Sequence, residues 1–258
     1  MPHALFDFIP IWAIFILTVL LSFFFFTLGL KLVNYRKKEG QPIPETPVSA
    51  IFAAILSLLA FILAFTFSSA ALRYDERNKL VLQEAIAIKQ AYFRASFLPS
   101  QDRSSVRSLL KEYTLIRLEG IYPQKQKEVL KRSLEIQNEL WDYAKEIGFK
   151  IPSTNANQLF IISLGDILDA HARRVIIGVY RHIPSTIWYA LYFVTILAVT
   201  SMGYFVGIKK NHDLVMSVAL IISFSAVITL IADLDRSQEG SIRVSQQPLI
   251  DFYNENNL

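Results

Sequence analysis

The 258-residue sequence predicts an all-α membrane protein, with four transmembrane helices and a helical soluble domain between spans two and three. Three observations carry this. Residues 8–30, 46–72, 182–208 and 214–232 contain no Asp, Glu, Lys or Arg, and about 20 apolar residues in helix cross a hydrocarbon core of roughly 30 Å. Residues 73–181, in contrast, hold 18 of the 26 basic and 13 of the 22 acidic residues, so that segment faces water. No stretch alternates polar and apolar residues far enough to make a strand. Because backbone groups in lipid must pair within the chain, apolar runs of this length are helices. The expected divisions are a first transmembrane helix pair at 8–72, the soluble domain at 73–181, a second pair at 182–233 and a polar tail at 234–258.

The first run opens at Ile9-Pro10, with Trp12 where an interfacial aromatic would anchor it. Residues 1–10 carry no Lys or Arg and no small-residue cleavage site follows, so a retained helix is expected rather than a signal peptide. Phe23, Phe24, Phe25 and Phe26 go all the way round this helix, which turns at least one of them to lipid. Arg36-Lys37-Lys38 with Gly40, Pro42, Pro44 and Pro47 makes a short basic loop.

The second helix is expected to continue beyond the membrane. From Arg73 to Lys79 there is no Gly or Pro, and apolar residues resume at Leu80, Leu82, Ala85, Ile86, Ile88, Ala91 and Tyr92. One helix over about 48–98 is predicted, ended by Pro99. Ser100 or Asp102 would cap the next helix, whose Leu109, Leu110, Tyr113, Ile116 and Leu118 point to a core. A third soluble helix follows Pro123 with Val129, Leu134, Ile136, Leu140, Trp141 and Ala144, and ends at Gly148. After a turn at 151–155, a fourth spans about 157–180, and Pro184 bends the chain into the third span. Residues 209–213 form a tight hairpin loop. The tail, with Gly240, Pro248 and alternating Ile242 and Val244, is expected to pack on the soluble helices.

Several functions are excluded by composition. With zero cysteines there is neither a disulfide nor a thiolate metal site. The net charge of +4 is spread out rather than gathered in a basic block, so nucleic acid is not an expected partner. His171 near Asp166 and Asp169 is the one histidine–carboxylate grouping, and it lacks the two-histidine spacing of a metal site on one helix. It reads as a surface or core-rim histidine. The sequence has neither a Gly-rich phosphate loop nor a nucleophile elbow, so it is not expected to be an enzyme or to hold a cofactor or metal. Without an EF-hand type of loop, calcium-independent behaviour is expected.

The stretch Ala60-Phe61-Ile62-Leu63-Ala64-Phe65-Thr66-Phe67-Ser68-Ser69-Ala70-Ala71-Leu72-Arg73-Tyr74-Asp75-Glu76-Arg77, continued by Leu80-Val81-Leu82-Gln83-Glu84-Ala85, resembles bacterial bestrophins. There, a Phe, small polar residues, a Tyr-Asp pair, an Arg and an acidic-Ala pair mark the pore helix as it enters the soluble domain. More closely still, the chain resembles the bestrophin-like family of uncharacterised membrane proteins. Leu168-Asp169-Ala170-His171-Ala172-Arg173-Arg174, His182-Ile183-Pro184 and Leu234-Asp235-Arg236 with Gly240 and Val244 carry that likeness, which runs from Ile9-Pro10 to Pro248. One departure is Ser237, where the family usually shows Pro.

The resemblance implies a homopentamer in the lipid bilayer, with five second spans around a pore for inorganic anions such as chloride. It places the narrow neck on Leu59, Leu63 and Phe67, whose i, i+4, i+8 spacing stays within one stripe of a helix. Apolar rings of this kind gate by dewetting. The competing reading is that the stripe only packs against neighbouring spans. Thr66, Ser68 and Ser69, with Ser57, supply hydroxyls for a partly dehydrated anion, or small residues for close helix packing. Arg73 and Arg77 would draw anions to the pore mouth, unless they belong to a salt-bridge network with Asp75, Glu76 and Lys79. Asp233 and Asp235, at the end of span four, call for a partner near lipid, with Arg73 or Arg77 as the expected one. The alternative to a channel is a non-conducting membrane scaffold or sensor that binds a partner through its helical domain.

A multi-pass protein of the plasma (bacterial inner) membrane is expected. Its orientation stays open. Lys31, Arg36, Lys37, Lys38, Lys209 and Lys210 put the short loops in the cytoplasm and the helical domain outside, whereas bestrophins hold that domain in the cytoplasm.

Overall fold

The computed structural model describes residues 9–38, 45–120, 122–150, 155–179, 182–209, 214–236 and 240–255, and each charge-free run supplies one long helix. α1 (Ile11–Lys38), α2 (Glu45–Arg94), α6 (Ser185–Ile208) and α7 (Leu214–Asp235) are the four helices long and apolar enough to cross a membrane. The other helices are α3 (Ser100–Glu119), α4 (Gln126–Lys150), α5 (Asn155–Val179) and the short α8 (Gln247–Glu255). No strand occurs among the described residues. The class is all-α, as the missing alternation predicts.

The chain divides into two compact units. One comprises the described residues of Met1–Arg73, His182–Arg236 and Gly240–Ile242; the other those of Tyr74–Arg181 and Arg243–Leu258. α2 is shared, giving each unit about half its length.

In the membrane unit α1 packs on α6 and α7. Its inward residues are Ile14, Thr18, Ser22, Phe26, Gly29 and Val33, recurring every three or four positions as one helical stripe requires. Apolar side chains gain little by leaving lipid, so close backbone approach does the holding. Gly29 lies against the backbone of Thr200, Gly203 and Tyr204, and Gly203 lies against the backbone of Phe26. A Cβ at either position would collide with a carbonyl. Gly203 and Gly207, four apart on α6, both face α1. Phe26, Val199, Met202 and Ile221 close a small core, Phe52 of α2 stacks on Phe205 at 5.4 Å, and Lys37 donates to the Gly207 carbonyl at 2.7 Å at the end of α6. Of the phenylalanine tetrad, Phe26 is buried and Phe24 is exposed.

The helical unit has a conventional core. Val81, Ala85, Ile88 and Ala91 of α2 meet Val106, Leu110 and Tyr113 of α3, Ile136, Leu140 and Ala144 of α4, and Phe160, Leu164 and Ile167 of α5. α8 joins through Leu249 and Phe252, with Val244 packed beside them, so the tail does dock on these helices. Local readings shift in detail. α2 ends at Arg94 and a 3-10 turn, Ala95–Phe97, precedes Pro99. The N-cap of α3 is Pro99 with no side-chain hydrogen bond, not Ser100 or Asp102. α4 passes through Gly148 to Lys150. Leu134 and Trp141, expected inside, are exposed. The loop prolines Pro42 and Pro44, most of the 151–155 turn, residues 210–213 and Ser237 lie outside the described residues.

Candidate functional site

Two places in the chain are unlike ordinary packing: one face of α2, and a buried polar cluster in the helical unit.

Along its membrane part α2 buries Leu59, Leu63, Thr66 and Ala70, spaced four, three and four residues apart. The opposite face is open. Phe61 is 70% exposed and Phe65 61%, and Ser57, Ala64 and Ser68 lie exposed on the same side. The expected neck therefore splits. Leu59 and Leu63 are 0% and 4% exposed, held within the chain, while Phe67, at 38%, lies toward the edge of the open face. The i, i+4, i+8 spacing turns about 80° from end to end, enough to carry a stripe from buried to open. The expected hydroxyls split too. Thr66 is buried and donates to the Ile62 carbonyl at 2.7 Å, Ser69 is half-buried, and Ser68 is open. Ser57, also open, donates to the Ala53 carbonyl at 2.8 Å.

The open face of α2 stays apolar past the membrane part: Leu82, Ile86 and Phe93, and Phe97 in the turn that follows, are all exposed. Of the expected mouth residues, Arg73 is half-buried and Arg77 is buried. The exposed charges of that region are Asp75 and Lys79, paired at 2.6 Å.

Asp233 and Asp235 hold backbone, which corrects the expected arginine partner for Asp233. Its Oδ1 accepts from the Ser241 amide at 2.8 Å and its Oδ2 from the Ile242 amide at 3.2 Å. Gly240 is needed there because any Cβ would strike the carboxylate. Asp235 Oδ1 accepts from the Ile183 amide at 2.8 Å, tying the end of α7 to the entrance of α6.

The second place centres on Glu84, which is fully buried. Its Oε1 accepts from the Tyr113 hydroxyl at 2.9 Å and forms an ion pair with Arg117, whose Nε lies 2.8 Å away, and its Oε2 accepts from Arg174 Nη1. Tyr113 spends its single proton on Glu84, so its oxygen accepts from Gln137 Nε2 at 3.2 Å and from His171 Nδ1 at 3.1 Å. That assigns the Nδ1–H tautomer to His171. Burial works against the Glu84 carboxylate, but Arg117 and Arg174 outweigh it and bring its pKa from 4.5 down to about 2. Burial, followed by the charge of Arg117, lowers His171 from 6.5 to about 4, so the ring is neutral near pH 7. His171 is thus a core residue whose carboxylate neighbour is Glu84, while Asp166 and Asp169 are exposed.

Sequence reasoning missed this cluster, although Glu84, His171 and Arg174 stand in the quoted motifs. Its members lie 29, 58 and 90 residues apart, and no local spacing joins them.

A family model described as a bestrophin-like domain matches residues 16–249. No curated protein matches the chain. Crystal structures of a bacterial bestrophin homologue from Klebsiella pneumoniae share the fold. One gives a TM-score of 0.66 at 17% identity, covering 93% of this chain and 94% of that one. Two point variants give 0.64 at 18% identity (95% and 97% covered) and 0.69 at 15% identity (93% and 98% covered).

Proposed function

From the premise that the chain belongs to the bestrophin-like family, we propose that it is a homopentameric channel of the bacterial inner membrane, conducting inorganic anions such as chloride through a pore lined by α2. The observation that carries this reading is the uncovered face of α2. Of the four spans, α2 has the smallest share buried by its own chain, 11% against 22%, 33% and 44%. Lipid can cover Phe61 and Phe65 but has no access to Leu82, Ile86, Phe93 and Phe97 in a water-facing unit, where such an apolar stripe marks a protein–protein surface. A second copy of the chain supplies that cover, and cyclic symmetry repeats each residue of the face as a ring.

The neck is accordingly moved from Leu59, Leu63 and Phe67 onto the open face, to Phe61 and Phe65, with Ser57 and Ser68 as the hydroxyl rings above and below. Phenylalanine rings set a dewetting barrier, the Ser68 hydroxyl offers a donor to an anion that has shed part of its water, and Ser57 does so on turning its proton away from the Ala53 carbonyl. Arg77, turned inward, leaves the mouth, and the exposed Lys79 takes its place as the cation nearest to it.

Chloride flux from liposomes holding the purified oligomer tests the proposal. Phe61→Ala/Phe65→Ala widens and wets the barrier and raises flux. Leu59→Ala/Leu63→Ala, at buried positions, leaves the conductance of assembled protein unchanged and costs about 2–5 kcal/mol of stability per site. No flux from a well-folded oligomer, or a monomer by mass in mild detergent, overturns the channel.

A further inference from the structure

We propose that the helical unit contains a binding site for a small carboxylate-bearing ligand, in the cavity where Arg117 and Arg174 come together above Glu84. The site is independent of the pore: all of its residues belong to the helical unit.

The charge count comes first. Arg117 and Arg174 share a single carboxylate, so one buried and one largely buried guanidinium face one negative charge. His171 is neutral, Tyr113 and Gln137 bring no charge, and no carboxylate lines the cavity among the described residues. A buried unit charge without a counter-ion is costly, and a bound anion removes that cost.

Donors come next. Arg117 Nε lies 2.8 Å from Glu84 as an ion pair, and its two Nη groups meet no hydrogen-bond acceptor among the described residues. Arg174 gives Nη1 to Glu84 and Nη2 to the Gln246 side-chain oxygen at 2.7 Å. Gln246 can release that bond to a better acceptor. A guanidinium fork fits the two coplanar oxygens of a carboxylate better than a spherical halide.

The walls define the rest of the ligand. The cavity is partly open, with a volume of about 60 Å³, several times the roughly 10–15 Å³ that one water needs. Val81, Val129, Leu130 and Val175 make the side away from the arginines apolar. An acid with a short aliphatic chain satisfies both ends: carboxylate on the guanidiniums, hydrocarbon on the valines.

The full-length protein in detergent, at constant 150 mM chloride (roughly physiological ionic strength), is titrated calorimetrically with butyrate and with its neutral isostere butyramide. Butyrate is expected to bind and to raise the melting temperature; butyramide is expected to do neither. Gly178→Leu supplies the control. Gly178 lines the cavity, and the nearest atom to a Cβ built there is Arg174 Cγ at 4.0 Å, so a side chain can start into the cavity from this position and replaces glycine with a better helix former. This variant is expected to keep its fold and weaken butyrate at least about tenfold, a loss of about 1.4 kcal/mol. Val129→Phe fills the same cavity from α4 if Gly178→Leu fails to assemble. Absence of butyrate binding, equal binding of butyramide, or full binding by a folded cavity-filled variant would overturn the site.

Discussion

The two units solve opposite problems. In the membrane unit, apolar side chains are everywhere and gain little by meeting one another, so the chain depends on what is missing: Gly29 and Gly203 have no Cβ, and the backbones of α1 and α6 touch. In the helical unit, water supplies the drive for burial and an ordinary core forms, yet one carboxylate, two guanidiniums, a phenol and an imidazole sit inside it. Where burial is easy, the chain has room for a costly polar network. The comparison teaches where each unit is vulnerable: the membrane unit to added atoms, the helical unit to removed charge.

The largest effect sharpens that contrast. Glu84→Ala leaves Arg117 and Arg174 buried without their shared partner, and breaking a buried pair in this way costs about 3–5 kcal/mol. Denaturant unfolding followed at Trp141, with Trp12 and Trp188 changed to Phe, reads the helical unit and checks the figure. In the membrane unit Gly203→Leu forces a side chain into the Phe26 carbonyl, an overpacking of about 1–3 kcal/mol, seen as a lowered melting temperature at Trp188. If Gly203→Leu were neutral, α1 and α6 would not be held by close approach.

Acid weakens the helical unit. His171 has its folded pKa depressed from 6.5 to about 4, so it contributes stability fully above pH 6.5 that is lost as the pH falls toward 4. Glu84, depressed from 4.5 to about 2, extends the loss from pH 4.5 downward. The Trp141 transition should therefore weaken between pH 7 and pH 5 by roughly 1–3 kcal/mol, and His171→Gln should flatten that step. An unchanged step would mean that the imidazole does not titrate there. The smallest effect is Lys79→Ala. Its ion pair with Asp75 is exposed to solvent screening, and the same unfolding measurement should barely move.

The four spans were legible because bare charge counts mark a bilayer, and the continuation of α2 because no Gly or Pro interrupts it. Which face of α2 packs was not legible. Leu59 and Leu63 are as apolar as Phe61 and Phe65, and only the placement of the other helices separates them. The partner of Asp233 was missed because backbone amides leave no mark in a sequence, although Gly240 seven residues on was noted. The Gly203/Gly207 pair was a readable sign of close helix packing that charge and hydropathy pass over. The Glu84 cluster stayed hidden because residues on four different helices converge only after folding.

The central claim is that the open face of α2, and not its buried face, meets the ion path. The cysteine-free sequence allows a direct measurement: single cysteines at Phe61→Cys, Ser68→Cys, Leu59→Cys and Leu63→Cys, treated with a charged thiol reagent while chloride flux is recorded. Modification at 61 and 68 is predicted to block or alter flux, with 59 and 63 unresponsive. Block at 59 and 63, with 61 and 68 silent, would contradict the account and return the neck to the buried stripe.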